Sequence, residues 1–148
     1  MEKIQISEYM HRFDALWRET LVLYENWAKK YGLSYCELLT WVSLSQSNTL
    51  PCTQKSICDR WRIAKQTVNG ILSGLLKKGY VTLIVEENDR RNKRIQLTES
   101  GKELILPVAE KLRMHESKVW EKMGSKEAET LLNTSTLYNK LFEEVDIT

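Results

Sequence analysis

Two adjoining stretches decide the predicted fold: TQKSICDRWRIAKQTVNGILSGLLKKGY at residues 53–80 and VTLIVEENDRRNKRIQL at residues 81–97. The first has the pattern of two short helices joined by a turn, and the second has the alternation of a hairpin with a charged tip. Helix, turn, helix and basic ribbon in this order predict a winged helix-turn-helix, which is built to lay one helix in a DNA groove.

The second helix of the unit, expected over residues 65–78 and termed the reading helix, has one apolar stripe and one polar face. The apolar residues fall at i, i+3, i+4 and i+7, which predicts a single buried side: Val68, Ile71, Leu72 and Leu75. The opposite face holds small residues, amides and a hydroxyl suited to base edges: Gln66, Asn69, Gly70, Ser73 and Lys77. The alternative is an ordinary solvated helix face.

The first helix of the unit is expected to begin after Thr53, which has the side chain of a good N-cap. Its apolar residues Ile57, Cys58 and Trp61 are predicted to pack against the reading helix. Cys58 is interpreted as a small core residue, with a reactive thiol as the alternative.

The wing is predicted by apolar residues at alternate positions, Val81, Leu83 and Val85, answered by Ile95 and Leu97. The sequence predicts a turn between these strands that gathers four cations: Arg90, Arg91, Lys93 and Arg94. A cationic tip of this kind can enter a minor groove, and Asp89 could pair with Arg91 to direct its guanidinium. The alternative is a solvated turn with incidental charges.

Charge is unevenly distributed along the chain. The whole chain has 22 basic and 20 acidic residues, a net charge of +2. Residues 53–94 hold ten basic and four acidic residues, a net charge of +6, so the rest of the chain carries −4. A basic face on an acidic body favours phosphate as the partner of that face.

Several short motifs stand in a defined order: TQ at 53–54, TV at 67–68, LLKKGYV at 75–81, DRR at 89–91 and LTESG at 97–101. Together they resemble the MarR family of bacterial transcriptional regulators, and the resemblance covers essentially the whole chain. It implies a homodimer that binds palindromic operator DNA, usually as a repressor whose affinity for DNA is changed by a small ligand or by oxidation. It also implies a wing whose Arg91 enters the minor groove, steadied by Asp89.

The resemblance and the residue patterns give one set of candidate DNA contacts. The set comprises Thr53, Gln54, Lys65, Gln66, Thr67, Asn69, Gly70, Ser73, Lys77, Asp89, Arg90, Arg91, Lys93 and Arg94. Two features depart from the family. The arginine or lysine that members commonly carry near Gly70 is missing, and Leu83 and Ile84 stand where members carry basic residues on the strand. Ala64 stands where a serine often caps the reading helix. Fewer phosphate contacts are therefore expected.

Length and periodicity predict one domain over residues 1–148, mainly α with a small β-hairpin wing. The DNA-binding core is expected at about 34–98, with dimerisation helices at about 5–31 and 99–146. Gly32 should end the first helix, with a capping box at Ser34 and Glu37. Pro107 should bend or delay the helix after the wing, and Gly124 should interrupt it. The alternative is that the terminal helices fold back on their own chain.

Other classes of protein lack support in this sequence. No signal peptide or long apolar run is present, which predicts a cytoplasmic protein with no membrane partner. Cys36, Cys52 and Cys58 are odd in number and lack metal-ligand spacing, so we expect no zinc site and no disulfide framework. Catalytic and phosphate-loop motifs are missing, so neither an enzyme nor a cofactor is expected. A winged helix used only for protein contacts is the alternative function.

A small aromatic effector is a further expectation. Members of the family that sense phenolic compounds bind them in a crevice between dimer helices and reading domain, for which this chain offers Trp17, Tyr24, Trp41 and His115. The alternative is that these aromatic residues belong to the core. Redox sensing by Cys36 or Cys52 is a second form of control, which requires an exposed thiol of low pKa.

Overall fold

The computed structural model describes the backbone of residues 1–148 and all side chains except those of Glu86, Asp89 and Arg90. Helices and strands follow one another as α1 (Lys3–Lys29), α2 (Tyr35–Ser45), α3 (Gln54–Trp61), α4 (Lys65–Lys77), β1 (Val81–Glu86), β2 (Asp89–Leu97) and α5 (Glu99–Glu144). A mainly helical chain with one antiparallel two-stranded wing confirms the predicted fold class. Over the described side chains, no helix is long and apolar enough to span a bilayer.

The chain forms two compact units, residues 1–109 and residues 110–148. The predicted single domain with a core at 34–98 stays a prediction. Helix α5 begins at Glu99 and includes Pro107, so the proline does not delay it. Gly124 interrupts it as predicted, with φ 79° and ψ 161°, because the left-handed half of backbone space is open to glycine.

Side-chain caps begin two helices as the sequence predicts. Ser34 Oγ accepts from the Glu37 amide at 3.1 Å, and Glu37 Oε2 accepts from the Ser34 amide at 2.7 Å. Thr53 and Ser56 make the same reciprocal pair at the start of α3, at 3.0 and 2.9 Å. Ala64 gives α4 no side-chain cap, as expected from its methyl group.

The core of the first unit forms around the reading helix α4. Val68, Leu72 and Leu75 are buried, and Ile71 is half-buried, which confirms the predicted stripe. Helix α4 contacts α2, α3 and β1. From α3, Ile57 is fully buried, whereas Cys58 and Trp61 are half-buried. The Trp61 indole donates to Ser43 Oγ at 2.7 Å, so its polar atom is satisfied inside the unit.

The wing differs from the predicted hairpin. Its turn contains Glu87 and Asn88, and β2 already begins at Asp89, so the basic residues lie on a strand and not in the turn. The register pairs Val81 with Leu97 and continues to Ile84 with Arg94, then shifts so that Glu86 pairs with Asp89. The prediction of a long turn was wrong because backbone pairing, which ignores side-chain charge, continues through this bulge.

The wing is joined to the helix-turn-helix through the backbone. The Ile95 amide donates to the Cys52 carbonyl at 2.8 Å, and Thr53 forms an isolated antiparallel bridge with Arg94. Cys52 and Thr53 directly precede α3. The outer edge of β2 therefore contacts the start of α3, and these backbone contacts join the wing to the helix-turn-helix.

The LTESG motif joins the end of α4 to the start of α5. At the end of α4 the amide of Gly79 (φ 76°) donates to the Leu76 carbonyl and the Tyr80 amide donates to the Leu75 carbonyl, the pattern of a Schellman cap. Thr98 Oγ1 donates to the Gly79 carbonyl at 2.7 Å, and the Thr98 amide donates to the Tyr80 carbonyl at 3.1 Å.

Gly101 is required by close approach at this junction. A Cβ built there would lie 1.9 Å from the Tyr80 carbonyl oxygen, which is backbone and cannot rotate away. Gly101→Ala should therefore lower the free energy of unfolding by about 1–3 kcal/mol, the usual cost of overpacking. Urea unfolding followed by circular dichroism measures this.

Gly74 on α4 is the matched control, because a Cβ there meets nothing within 4 Å. Gly74→Ala should raise the free energy of unfolding by about 0.5–1 kcal/mol through helix propensity. Equal effects of the two substitutions would show that Tyr80 yields and that the junction is not rigid.

The three cysteines are free thiols with different surroundings. Cys52 is buried, whereas Cys36 and Cys58 are half-buried. Burial raises the pKa of the Cys52 thiol to about 11, and the opposing effects of the Ser56 hydrogen bond and the Arg60 charge are smaller. Because the thiolate is the reactive form, burial disfavours the predicted redox role for Cys52.

Alkylation of the folded protein near neutral pH should therefore modify Cys52 more slowly than Cys36 and Cys58. The rates are measured by mass spectrometry of digested samples, and the control is the same reaction in concentrated urea, where the three rates should converge. Preferential labelling of Cys52 in the folded protein would contradict this expectation.

Candidate nucleic-acid interface

A groove of about 320 Å³, termed the reading groove, lies between the start of α3, the face of α4 and strand β2. The structure brings six of the predicted contact residues to it from these three elements: Thr53, Gln54, Asn69, Ser73, Arg91 and Lys93. These residues are separated by up to 40 positions in the sequence, from Thr53 to Lys93. The backbone contacts between β2 and the start of α3 bring them together in space.

Six further residues line the groove that the sequence did not assign to it, and two of them, Leu72 and Ile95, are buried core residues at its base. Lys55 and Asn92 are neighbours of predicted contacts and could have been found on that ground. Leu76 and Leu83 are exposed apolar residues, and they occupy the groove from α4 and β1. Apolar side chains beside amides suit a base edge, because the thymine methyl group takes an apolar contact.

Two cations of α3, of which Lys55 lines the groove, already have partners in the protein. Lys55 Nζ lies 2.7 Å from Asp59 Oδ2, and this hydrogen bond and charge raise the pKa of the lysine. The Arg60 guanidinium stacks on the Trp61 ring at 4.4 Å and donates to Gln46 Oε1 at 2.6 Å. Arg60 is thereby held against α2 and α3, which orients it for packing within the unit.

The remaining predicted residues of α4 are exposed but do not belong to the groove lining. They are Lys65, Gln66, Thr67, Gly70 and Lys77. Gln54, which lines the groove, contacts the first of these residues: its side-chain amide donates to the Lys65 carbonyl at 3.4 Å. This contact ties the start of α3 to the start of α4.

The wing residues have separate positions. Arg91 is exposed and lines the groove, whereas Arg94 is half-buried and pairs with Thr53 through the backbone. The side chains of Asp89 and Arg90 lie outside those that the structure describes. The pairing of Asp89 with Arg91 therefore stays a prediction.

The candidate effector residues are divided between the two units. In the first unit Trp17 is 66% exposed, Tyr24 contacts Tyr35 with ring centroids 6.0 Å apart, and Trp41 is buried in α2. His115 is exposed and belongs to the second unit. Burial gives Trp41 the character of a core residue, and the effector crevice stays a prediction. Among the described residues, no group of three or more His, Cys, Asp or Glu could hold a metal.

Comparison with known proteins places these features in a family. Residues 36–92 match the MarR family. The HTH-type transcriptional regulator SarZ of Staphylococcus aureus is 33% identical over 93 residues, which cover 63% of this chain and 62% of SarZ. The chain thus matches less than two thirds of that relative's length.

Solved structures extend the likeness in fold to both ends of the chain. A MarR family regulator from Neisseria meningitidis has a TM-score of 0.74 at 25% identity, over 97% of this chain and 96% of that one. MepR of S. aureus in complex with DNA has a TM-score of 0.66 at 21% identity, over 90% and 97%. The sequence match runs from α2 into the wing and contains the whole helix-turn-helix. Residues 36–92 of this protein therefore form a MarR-family domain, and the chain resembles solved MarR regulators in fold.

Proposed function

We propose that this protein is a sequence-specific DNA-binding transcriptional regulator that binds a palindromic operator as a homodimer in the bacterial cytoplasm. The observation that carries the proposal is the reading groove. It combines side chains suited to bases with a cation on the facing strand.

Base recognition is supported by the chemistry of α4. Asn69 and Ser73 are exposed, lie one turn apart and line the groove. A side-chain amide can make two hydrogen bonds to adenine in a major groove, and a hydroxyl can bond either kind of base pair. Arg91 lies on the opposite wall, where a guanidinium can reach a phosphate or a minor groove.

Pairing of two chains is supported by uncovered apolar surface in each unit. Soluble monomers rarely expose large contiguous apolar patches, and a two-fold dimer buries the same patch on both subunits. Helix α1 exposes Ile4, Ile6, Tyr9, Met10, Phe13, Leu16, Trp17, Leu21, Val22 and Leu23. The second unit exposes Met114, Val119, Trp120, Leu131, Leu132, Leu137, Tyr138, Leu141, Phe142, Val145 and Ile147.

Regulation is proposed to be repression relieved by a small aromatic molecule or by oxidation. The exposed ring of Trp17 and the half-buried ring of Tyr24 support the aromatic effector. The half-buried thiols of Cys36 and Cys58 are better placed for oxidation than the buried thiol of Cys52.

Selection of fragments from random duplex DNA by the purified protein tests the function directly. Enrichment of an inverted repeat with half-sites about one helical turn apart supports a dimer with two reading helices in equivalent grooves. Absence of enrichment, together with binding that is insensitive to salt, would favour the alternative of a winged helix used for protein contacts.

Asn69 and Arg91 should contribute differently to binding. Asn69→Ala should cost about 1–3 kcal/mol on the selected operator and little on random duplex, because a base contact carries the specificity. Arg91→Ala should weaken binding to both duplexes, because the wing contact depends on charge and groove shape. Titrations by fluorescence anisotropy on the two duplexes measure the four differences.

Each variant is the control for the other in these titrations. If Asn69→Ala weakens both duplexes equally, Asn69 contacts the phosphate backbone and not a base. If Asn69→Ala changes the affinity for neither duplex, α4 does not enter the DNA groove, and the proposed mode of binding is wrong.

The dimer should depend on apolar residues of the second unit such as Phe142, which is 75% exposed in the single chain. Phe142→Glu should convert the dimer into a monomer, because a lone buried carboxylate at an interface costs several kcal/mol. Phe142→Leu keeps an apolar side chain and should remain dimeric. Light scattering at micromolar concentration distinguishes the two, and a dimeric Phe142→Glu variant would place the interface elsewhere.

A further inference from the structure

The turn between α3 and α4 contains a strained arginine. Arg62 has φ 54° and ψ 43°, in the left-handed region, and among the described residues it is the one non-glycine residue with a positive φ. An L side chain in this region crowds the backbone, which is why glycine and, less often, asparagine occupy such positions after helices.

The fold uses the backbone of Arg62 and gains nothing evident from its side chain. Its amide donates to the Cys58 carbonyl, and the next amide, of Ile63, reaches the same carbonyl at 3.3 Å. Glycine would supply these bonds equally well. The guanidinium is exposed, and no hydrogen bond, ion pair or ring contact of its own occurs among the described side chains.

The position of this arginine is at the entrance of the reading helix. Arg62 stands two residues before the N-cap Ala64 and three before Lys65, whose side chain is also exposed. Ala64 leaves the first amides of α4 without a side-chain cap, so the positive end of the helix faces outward there. The contact from Gln54 to the Lys65 carbonyl fixes this end of α4 against α3.

We propose that Arg62 is a positioning residue that binds a DNA phosphate at the entrance of the reading helix, which rests on the proposed DNA-binding function. A guanidinium and uncapped helix amides together suit a phosphate, which accepts several charge-assisted hydrogen bonds. Backbone strain is retained at functional positions when another gain offsets it. Here the offsetting gain is the contact with DNA, which is present only in the complex. The backbone strain is already present in the folded protein without DNA.

Arg62→Gly separates the two effects. Relief of strain should raise the Tm by about 2–4 °C, while loss of the charge should weaken DNA binding. Loss of one phosphate contact per protomer should make the slope of log K against log salt shallower by about 1.8 per dimer. The binding deficit should then grow by roughly 60-fold from 1 M to 0.1 M salt, equally on the selected operator and on random duplex.

Three further variants control for charge and conformation. Arg62→Lys keeps the cation and the strain, so its salt slope should equal that of the unsubstituted protein. Arg62→Asn tolerates the left-handed backbone without a charge and should bind as weakly as Arg62→Gly. Arg12→Gln removes one positive charge from exposed α1, where Arg12 lies 3.9 Å from Glu8, and should leave the salt slope unchanged.

The outcomes distinguish this inference from the function on which it rests. Steep salt dependence with an unchanged slope in Arg62→Gly overturns the role of Arg62 and leaves DNA binding in place. A loss confined to the operator also overturns it, since Arg62 would then read a base. A lower Tm in Arg62→Gly shows that the arginine stabilises the fold and overturns the inference from strain. If the unsubstituted protein binds no duplex in low salt, both proposals fail.

Discussion

Burial of one side of α4 is the constraint on which the rest of the structure depends. Val68, Leu72 and Leu75 pack against α2, α3 and β1, so the rotation of the helix about its own axis is determined. Asn69 and Ser73 each follow a buried residue of this side by one position and lie one turn apart, so both are presented together on the exposed side. The same contacts that stabilise the core thereby orient the surface proposed to read DNA.

Backbone hydrogen bonds position the elements around that helix. The Ile95–Cys52 and Thr98–Tyr80 bonds join the wing to the start of α3 and the end of α4 to α5, and neither depends on side-chain identity. Gly101 adds a steric condition, since any larger residue would meet the Tyr80 carbonyl. These backbone contacts connect the elements that line the groove, although most of the lining side chains are exposed.

Two residues show how stability and the proposed function separate. Cys52 is buried where its neutral thiol contributes to the base of the wing, and burial raises its pKa to about 11, away from reactivity. Arg62 is the reverse case: it is exposed and strained, and its side chain makes no hydrogen bond, ion pair or ring contact among the described residues. The left-handed turn thus carries a charged residue at a position whose backbone conformation favours glycine.

Local pattern in the sequence determined the helix periods, the caps at Ser34 and Thr53, the break at Gly124 and the buried stripe of α4, because these depend on neighbours within one or two turns. Tertiary structure alone decided that β2 extends back to Asp89. Strand pairing is a contact with another segment of the chain, and the charged residues of this stretch do not predict where that pairing ends. Tertiary structure also brought Leu76 and Leu83 into one groove with Asn69 and Arg91, and it placed Arg62 in the left-handed region. The spacing of residues in the sequence does not predict these features, because they arise when separate elements pack. The connecting segments must then adopt whatever backbone conformation joins the packed elements.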